Sequence, residues 1–326
     1  MNWYPPRSSY VSSLPTIYLS SIHTMAPLFS TSPPPPSFTP ASIVDLSTKI
    51  CIISSLNPTT LHLARVLYNL HATVYLGCPC LPTFNSAADK LRKSCPDSMG
   101  SLKPFLFAAA APESIEIAVQ QFSQQEWRLN VLFLSADGGD LLVAFALAKL
   151  LSPVLHKTAS QFCHPNPSIR VIWITPSSCL PWPSGTLDLS TADKVYLLAD
   201  AFSRLPPPST NMEKNLYAHT LPNSNPSGVQ HVCVTAELAQ SKLQRSMRRF
   251  VPAVFNDELE KSVCTLLYAA LGPDVRSRDW VVPWGRKGAV PEFVREGAAG
   301  KNEKVELSSA SLYALHESYL TRHLGR

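Results

Sequence analysis

The sequence is short of glycine, with 12 among 326 residues, and long on proline, with 30. Ordinary usage is roughly 7% glycine and 5% proline. Glycine is the residue that takes positive φ without cost, so loops that wrap a phosphate in bare backbone are the first motifs such a composition puts at risk. No P-loop, no His-Glu-x-x-His helix, no Gly-x-Ser-x-Gly elbow and no EF-hand loop occurs anywhere in the chain. The eight cysteines include no Cys-x-x-Cys pair. The closest two, Cys78 and Cys80, would be half a zinc site with no second half. Neither a metal site nor a disulfide framework is expected; the spacing predicts reduced, mostly buried thiols in a cytoplasmic protein. His62, His71 and His219 stand alone and read as surface or packing residues.

Charge is sparse too, at 16% of residues with a net of +5. The one basic cluster, Gln244 to Arg249, lacks interleaved aromatics and reads as a solvated helix face, which excludes a nucleic-acid partner. Apolar runs long enough to span a bilayer are missing, since Leu141 to Leu155 is interrupted by Lys149 and Pro153 and reads as a buried helix. The first 45 residues are rich in proline and serine, including Pro33 to Pro36. They have no apolar run for a signal peptide and, with one arginine, too little charge for a mitochondrial presequence, so a disordered extension is expected, with Met25 an alternative start.

What the sequence does contain is a core, with 45% hydrophobic residues, and an alternation of short β-branched runs with helical spans. Strands are predicted at Lys49 to Ser54, Ala72 to Leu76, Pro104 to Ala109, Asn130 to Ser135, Ile169 to Ile174 and Gln230 to Thr235. Helices are predicted over Pro58 to Leu70, Phe84 to Ser94, Pro112 to Gln125, Leu141 to Ala159, Ala192 to Arg204, Asn211 to Leu221 and Glu258 to Leu271. This is the pattern of βαβ units. The fold class is α/β, a doubly wound, Rossmann-like parallel sheet of about six to seven strands in a single domain. The domain is expected over residues 46–300, followed by a helical tail at 301–326.

Three segments resemble the short-chain dehydrogenase/reductase superfamily, in particular its fungal retinol-dehydrogenase-like branch. They are Pro34-Pro-Pro-Ser-Phe-Thr-Pro with Asp45-Leu-Ser-Thr-Lys-Ile-Cys-Ile-Ile, then Arg128-Leu-Asn-Val-Leu-Phe, and Trp280-Val-Val-Pro-Trp-Gly-Arg. The resemblance implies an oxidoreductase that uses NADP on a small lipophilic carbonyl or alcohol, as in fungal secondary metabolism. It also implies a glycine turn after the first strand and a Ser, Tyr, Lys and Asn catalytic set.

Residue by residue, the family's glycine turn falls on Ser54 to Leu61, which has no glycine and places Pro58 where a phosphate would seek an N–H. The basic residue for a 2′-phosphate falls at Cys78 or Pro79, and the Asn-Asn-Ala-Gly stretch at Leu134-Ser-Ala-Asp137. Aligned on Asn215 to Leu221, the Tyr and Lys positions are Pro208 and Met212; a second register places the Tyr at Tyr196 and puts Asp200 at the Lys position. An anion there raises a phenol's pKa, where the family's cation lowers it. Asp140 corresponds to the family's Asn, and Glu237 lies where a nicotinamide carboxamide would. Ser177, Ser178 and Tyr196 are therefore the catalytic candidates, and Ser55, Asn57 and Ser135 the cofactor-binding candidates, with Trp182 and Tyr196 lining any apolar pocket. NADP is expected to bind weakly or not at all. The alternatives to an oxidoreductase are a pseudo-enzyme that binds a small molecule or another protein, and cofactor-independent dehydration or cyclisation.

Overall fold

The computed structural model describes residues 34–136, 141–161, 169–175, 191–205, 228–236, 252–290, 294–295 and 308–324. Its centre is an eight-stranded sheet in the order β3-β2-β1-β4-β5-β6-β7-β8. The strands are β1 (Ile50–Ile53), β2 (Thr73–Cys78), β3 (Ser101–Leu106), β4 (Val131–Ser135), β5 (Arg170–Thr175), β6 (Gln230–Thr235), β7 (Trp280–Val282) and β8 (Arg286–Gly288). All neighbours pair in parallel except β7 and β8. Seven helices occur among the described residues: α1 (Pro58–Asn69), α2 (Leu81–Ser94), α3 (Pro112–Gln125), α4 (Leu141–Gln161), α5 (Thr191–Arg204), α6 (Pro252–Leu271) and α7 (Ser309–Leu324).

Two apolar cores follow from the twofold alternation of strand side chains. Ile50 and Ile52 of β1 turn to a core shared with α3, α4, α5 and α7, while Cys51 and Ile53 turn to one shared with α1, α2 and α6. Covering on both faces explains why the central strands are continuous apolar runs. It also accounts for the composition of α4, which is long and apolar enough to cross a membrane. Ala144, Phe145, Leu147, Leu151 and Leu155 of that helix are buried against the sheet. At the amino end of the sheet, buried Arg170 donates to Gln230 and to the carbonyls of Ala269 and Gly272 at 2.7–3.0 Å, closing the C-terminus of α6 with a cation.

Helix α7 lies across the outer surface of α3, α4 and α5. Tyr313 packs its ring 5.1 Å from Phe145 and 5.2 Å from Phe202, and Lys149 donates to Tyr313 and Glu317 at 2.8 and 3.0 Å. The β7–β8 hairpin turns with both Trp284 (φ 71°) and Gly285 (φ 74°) in the left-handed region. Tryptophan is an unusual occupant there. It is held because its N–H donates to Thr265 at 2.7 Å and Lys261 lies 4.5 Å above its indole.

Several expectations need correcting. The sheet has eight strands where six to seven were expected, because β7 and β8 are three residues each and too short to show a period. The third strand begins at Ser101, ahead of Pro104, since an edge strand tolerates a missing N–H. Helices α2 and α6 start at Leu81 and Pro252, earlier than predicted, each with proline in the first turn. Within the extension expected over 1–45, Phe38 and Ile43 pack against the second core, with Phe38 5.9 Å from Tyr268. Residues 1–33 and the helix expected at 211–221 lie outside the described residues.

Candidate functional site

In an open parallel sheet the crevice lies at the carboxyl ends of the strands, where strand order reverses. Here the reversal falls between β1 and β4. The chain leaves β1 through Ser54, Ser55, Leu56 and Asn57 and enters α1 at Pro58. Asn57 is the N-cap: its Oδ1 accepts the Thr60 N–H at 2.9 Å, and Thr60 Oγ1 accepts the Asn57 N–H at 2.8 Å. The Thr60 hydroxyl in turn donates to the Ser55 carbonyl at 2.8 Å. Ser54 Oγ accepts the Ser135 N–H of β4 at 2.9 Å, which spans the reversal point. Asn57, Thr59 and Ser135 have further interactions besides these. The turn presses on β2 so closely that a Cβ on Gly77 would come within 2.3 Å of the Ser54 carbonyl oxygen. At the end of β2, Cys78 is buried, and exposed Cys80 stands at the N-cap position of α2, its Sγ 3.1 Å from Thr83 Oγ1. Beyond β3, the Ala108 N–H donates to Ser114 at 2.9 Å.

Further along the same edge, Trp280 donates its indole N–H to Thr235 Oγ1 at 3.1 Å. Thr235 lies 2.8 Å from Thr175 Oγ1, which donates to the Val234 carbonyl. Beside this chain is a cavity of about 10 Å³ lined by Thr175, Asp193, Tyr196, Cys233, Trp280 and Val294. That is room for about one water molecule. Tyr196 is 9% exposed. Burial pushes its phenol well above the usual range, the Cys233 thiol and Asp200 carboxylate add to the rise, and Arg278 and Arg204 oppose it. One turn below, Asp200 is 1% exposed, bonded to Arg204 at 2.8 and 3.0 Å and to Ser309 at 2.9 Å, with Arg278 at 3.6 Å.

Of the residues singled out in the sequence, the structure gathers Ser55, Asn57 and Ser135 at the β1–β4 reversal and sets Tyr196 apart, under the ends of β5 and β6. Ser177, Ser178, Trp182, Asp140 and Glu237 lie outside the described residues. Ser54 and Thr60 escaped the sequence reading, although Asn57 followed by Pro58 is an N-cap signature that points to a partner three residues on. Thr175, Thr235 and Trp280 meet only through strand register, which no local motif announces. Among the described residues six cysteines are free, five of them buried, and no group of acidic, histidine or cysteine side chains could hold a metal.

No family model matches the chain. It is 27% identical over 309 residues to a short-chain dehydrogenase/reductase of Phomopsis amygdali, covering 83% of this chain and 89% of that one. The short-chain dehydrogenase/reductase sthC of Phaeosphaeria nodorum is 28% identical over 165 residues, 44% of this chain and 52% of its own length. Among solved structures, an uncharacterized protein from Mycobacterium paratuberculosis superposes with a TM-score of 0.54 at 18% identity over 87% of this chain and 97% of that one. RhlG of Pseudomonas aeruginosa, solved with NADP, gives 0.52 at 14% identity over 74% and 97%. These two likenesses speak to the fold. With a sheet that reverses order between β1 and β4, this chain is similar over most of its length to a fungal short-chain dehydrogenase/reductase.

Proposed function

We propose that this chain descends from NADP-dependent oxidoreductases of small lipophilic carbonyls or alcohols and works without their hydride-transfer step. Its role is that of a pseudo-dehydrogenase in fungal secondary metabolism, cytoplasmic, holding a small molecule or a protein partner and neither nucleic acid nor membrane. The observation that carries the reading is the pair Tyr196 and Asp200. Proton transfer to a carbonyl needs a phenol tuned toward neutrality by an adjacent cation. The acid side chain one turn from Tyr196 has the opposite effect, and both are packed in the core. Among the described residues the adjoining cavity, about 10 Å³, has room for about one water molecule.

The test is turnover of NADPH and NADH with a panel of apolar ketones, aldehydes and alcohols by the purified full chain. No turnover above buffer is expected. Reduction abolished by Tyr196→Phe would overturn the reading. A second reading, an oxidoreductase with a rearranged centre that includes Ser177 or Ser178, draws on an NADPH-bound short chain oxidoreductase of Pseudomonas aeruginosa PAO1 with an atypical catalytic centre. That protein superposes with a TM-score of 0.50 at 12% identity over 76% of this chain and 100% of its own. Turnover that survives Tyr196→Phe and is lost in Ser177→Ala or Ser178→Ala would favour it. Cofactor-independent dehydration or cyclisation at Tyr196 and a serine would appear as product without nucleotide.

A further inference from the structure

We infer that the turn between β1 and α1 has closed its own anion site, so that the crevice at the sheet's reversal point admits an uncharged ligand and refuses a dinucleotide pyrophosphate. A pyrophosphate bound at a helix N-terminus needs unpaired backbone N–H groups, close approach to the backbone and positive charge nearby. The structure works against each need. Pro58 brings no N–H to the first turn of α1. The Thr60 N–H is taken by Asn57 Oδ1, the Asn57 N–H by Thr60 Oγ1, and the Ser135 N–H across the crevice by Ser54 Oγ. These are 2.8–2.9 Å bonds to side chains, so these three donors are satisfied from within.

Close approach fails as well. No residue from Ser54 to Thr60 has positive φ, that conformation being confined among described non-glycine residues to His71, Arg278 and Trp284. Every position in the turn carries a Cβ, and its backbone already rests on β2 at Gly77. Charge is missing from the described residues here. In the segments 54–60, 77–83, 106–111 and 135–136, which leave the four strand ends of this half of the sheet, there is no Lys, Arg or His, and no Asp or Glu. The family's nicotinamide dinucleotide therefore does not fit the residues present. What these segments offer is hydroxyl, thiol, amide and methyl groups, the lining for a neutral molecule.

The inference deepens the pseudo-dehydrogenase reading but concerns binding, and its test separates the two. Calorimetric titration of the full chain with NADPH, NADH and inorganic pyrophosphate is expected to give no saturable heat up to millimolar ligand and no rise in melting temperature. Asn57→Ala and Thr60→Val should each lower the melting temperature by a few degrees, and the double variant should fall little further, since both remove one cap. Micromolar NADPH binding that Ser55→Trp abolishes would overturn the inference, as would an unchanged melting temperature in both cap variants. Carbonyl reduction that Ser55→Trp leaves intact would sink the catalytic reading while keeping the turn closed. Nucleotide binding lost in Ser55→Trp with no turnover would do the reverse.

Discussion

Asp200 shows how much of this molecule one side chain can hold. Its carboxylate, 1% exposed, takes hydrogen bonds from Arg204 and Ser309 and faces Arg278, so it joins α5 to the loop before β7 and to the start of α7. Removing one member of a buried charge set strands the others, at roughly 3–5 kcal/mol. Asp200→Asn is expected to cost that much in urea unfolding. Ser309→Ala, which loses one bond to a charged group, should cost about 1.5–3 kcal/mol. Asp200→Lys, which would write the family's Tyr-x-x-x-Lys spacing at Tyr196, is expected to give no folded protein, because a third cation would face Arg204 and Arg278 with no anion between them. An Asp200→Lys variant that melts like the parent would refute this account. The sequence exposes the acid at this position and its electrostatic effect on Tyr196. Its partners Arg278 and Ser309 could not be read, because nothing local links a helix residue to groups so far along the chain.

Elements divide by how local their causes are. Strands β1, β4, β5 and β6 and helices α1, α3 and α5 are legible because apolar runs and caps stand in the sequence where the structure uses them. The β7–β8 hairpin is not: its two strands have three residues each, and its turn depends on Thr265 and Lys261 of α6. The candidate site divides the same way. The absence of glycine from Ser54 to Leu61 is plain in the sequence, whereas the bonding between Asn57, Thr60, Ser54 and Ser135 depends partly on β1 and β4 being neighbours. Helix α7 is legible as a helix and not as part of the core, because its partners are Phe145, Lys149, Asp200 and Phe202. Leu312, Tyr313 and Leu320 are all buried there. At about 1.5–3 kcal/mol for each large side chain, a chain ending at residue 307 is expected to lose on the order of 5 kcal/mol or more. Thermal melting and size-exclusion chromatography should show a lower transition and association; an unchanged profile would mean that α7 contributes nothing to the fold.

For the molecule as a whole, acid sensitivity is written into the first core. His231 is 4% exposed, stacked 5.5 Å from Phe202, and its Nδ1 accepts the Trp173 indole N–H at 3.2 Å, which fixes the neutral ring. Burial pushes its pKa down to about 3, with His156 adding to the fall. An unfolded histidine titrates near 6.5. Between those two values the unfolded chain binds the extra proton, so stability is full above about pH 6.5 and declines as pH falls toward 3, by up to ~1.4 kcal/mol per unit. His156 and His316, lowered chiefly by burial, act in the same direction. Urea midpoints at pH 7, 6 and 5 should decrease in turn, and His231→Phe should flatten the decrease; an unchanged slope in that variant would place the sensitivity elsewhere. The two rims of the sheet bear on a different risk. One is β3, where Pro104 withholds a donor and Lys103 pairs with Glu126; the other is β8, three residues long and bearing Arg286 and Lys287. A strand from a neighbouring molecule finds an incomplete template at the first rim and a short, cationic one at the second. As far as the described residues go, the sheet is thus poorly suited to growing by addition of strands, even when the protein is concentrated or refolding from denaturant.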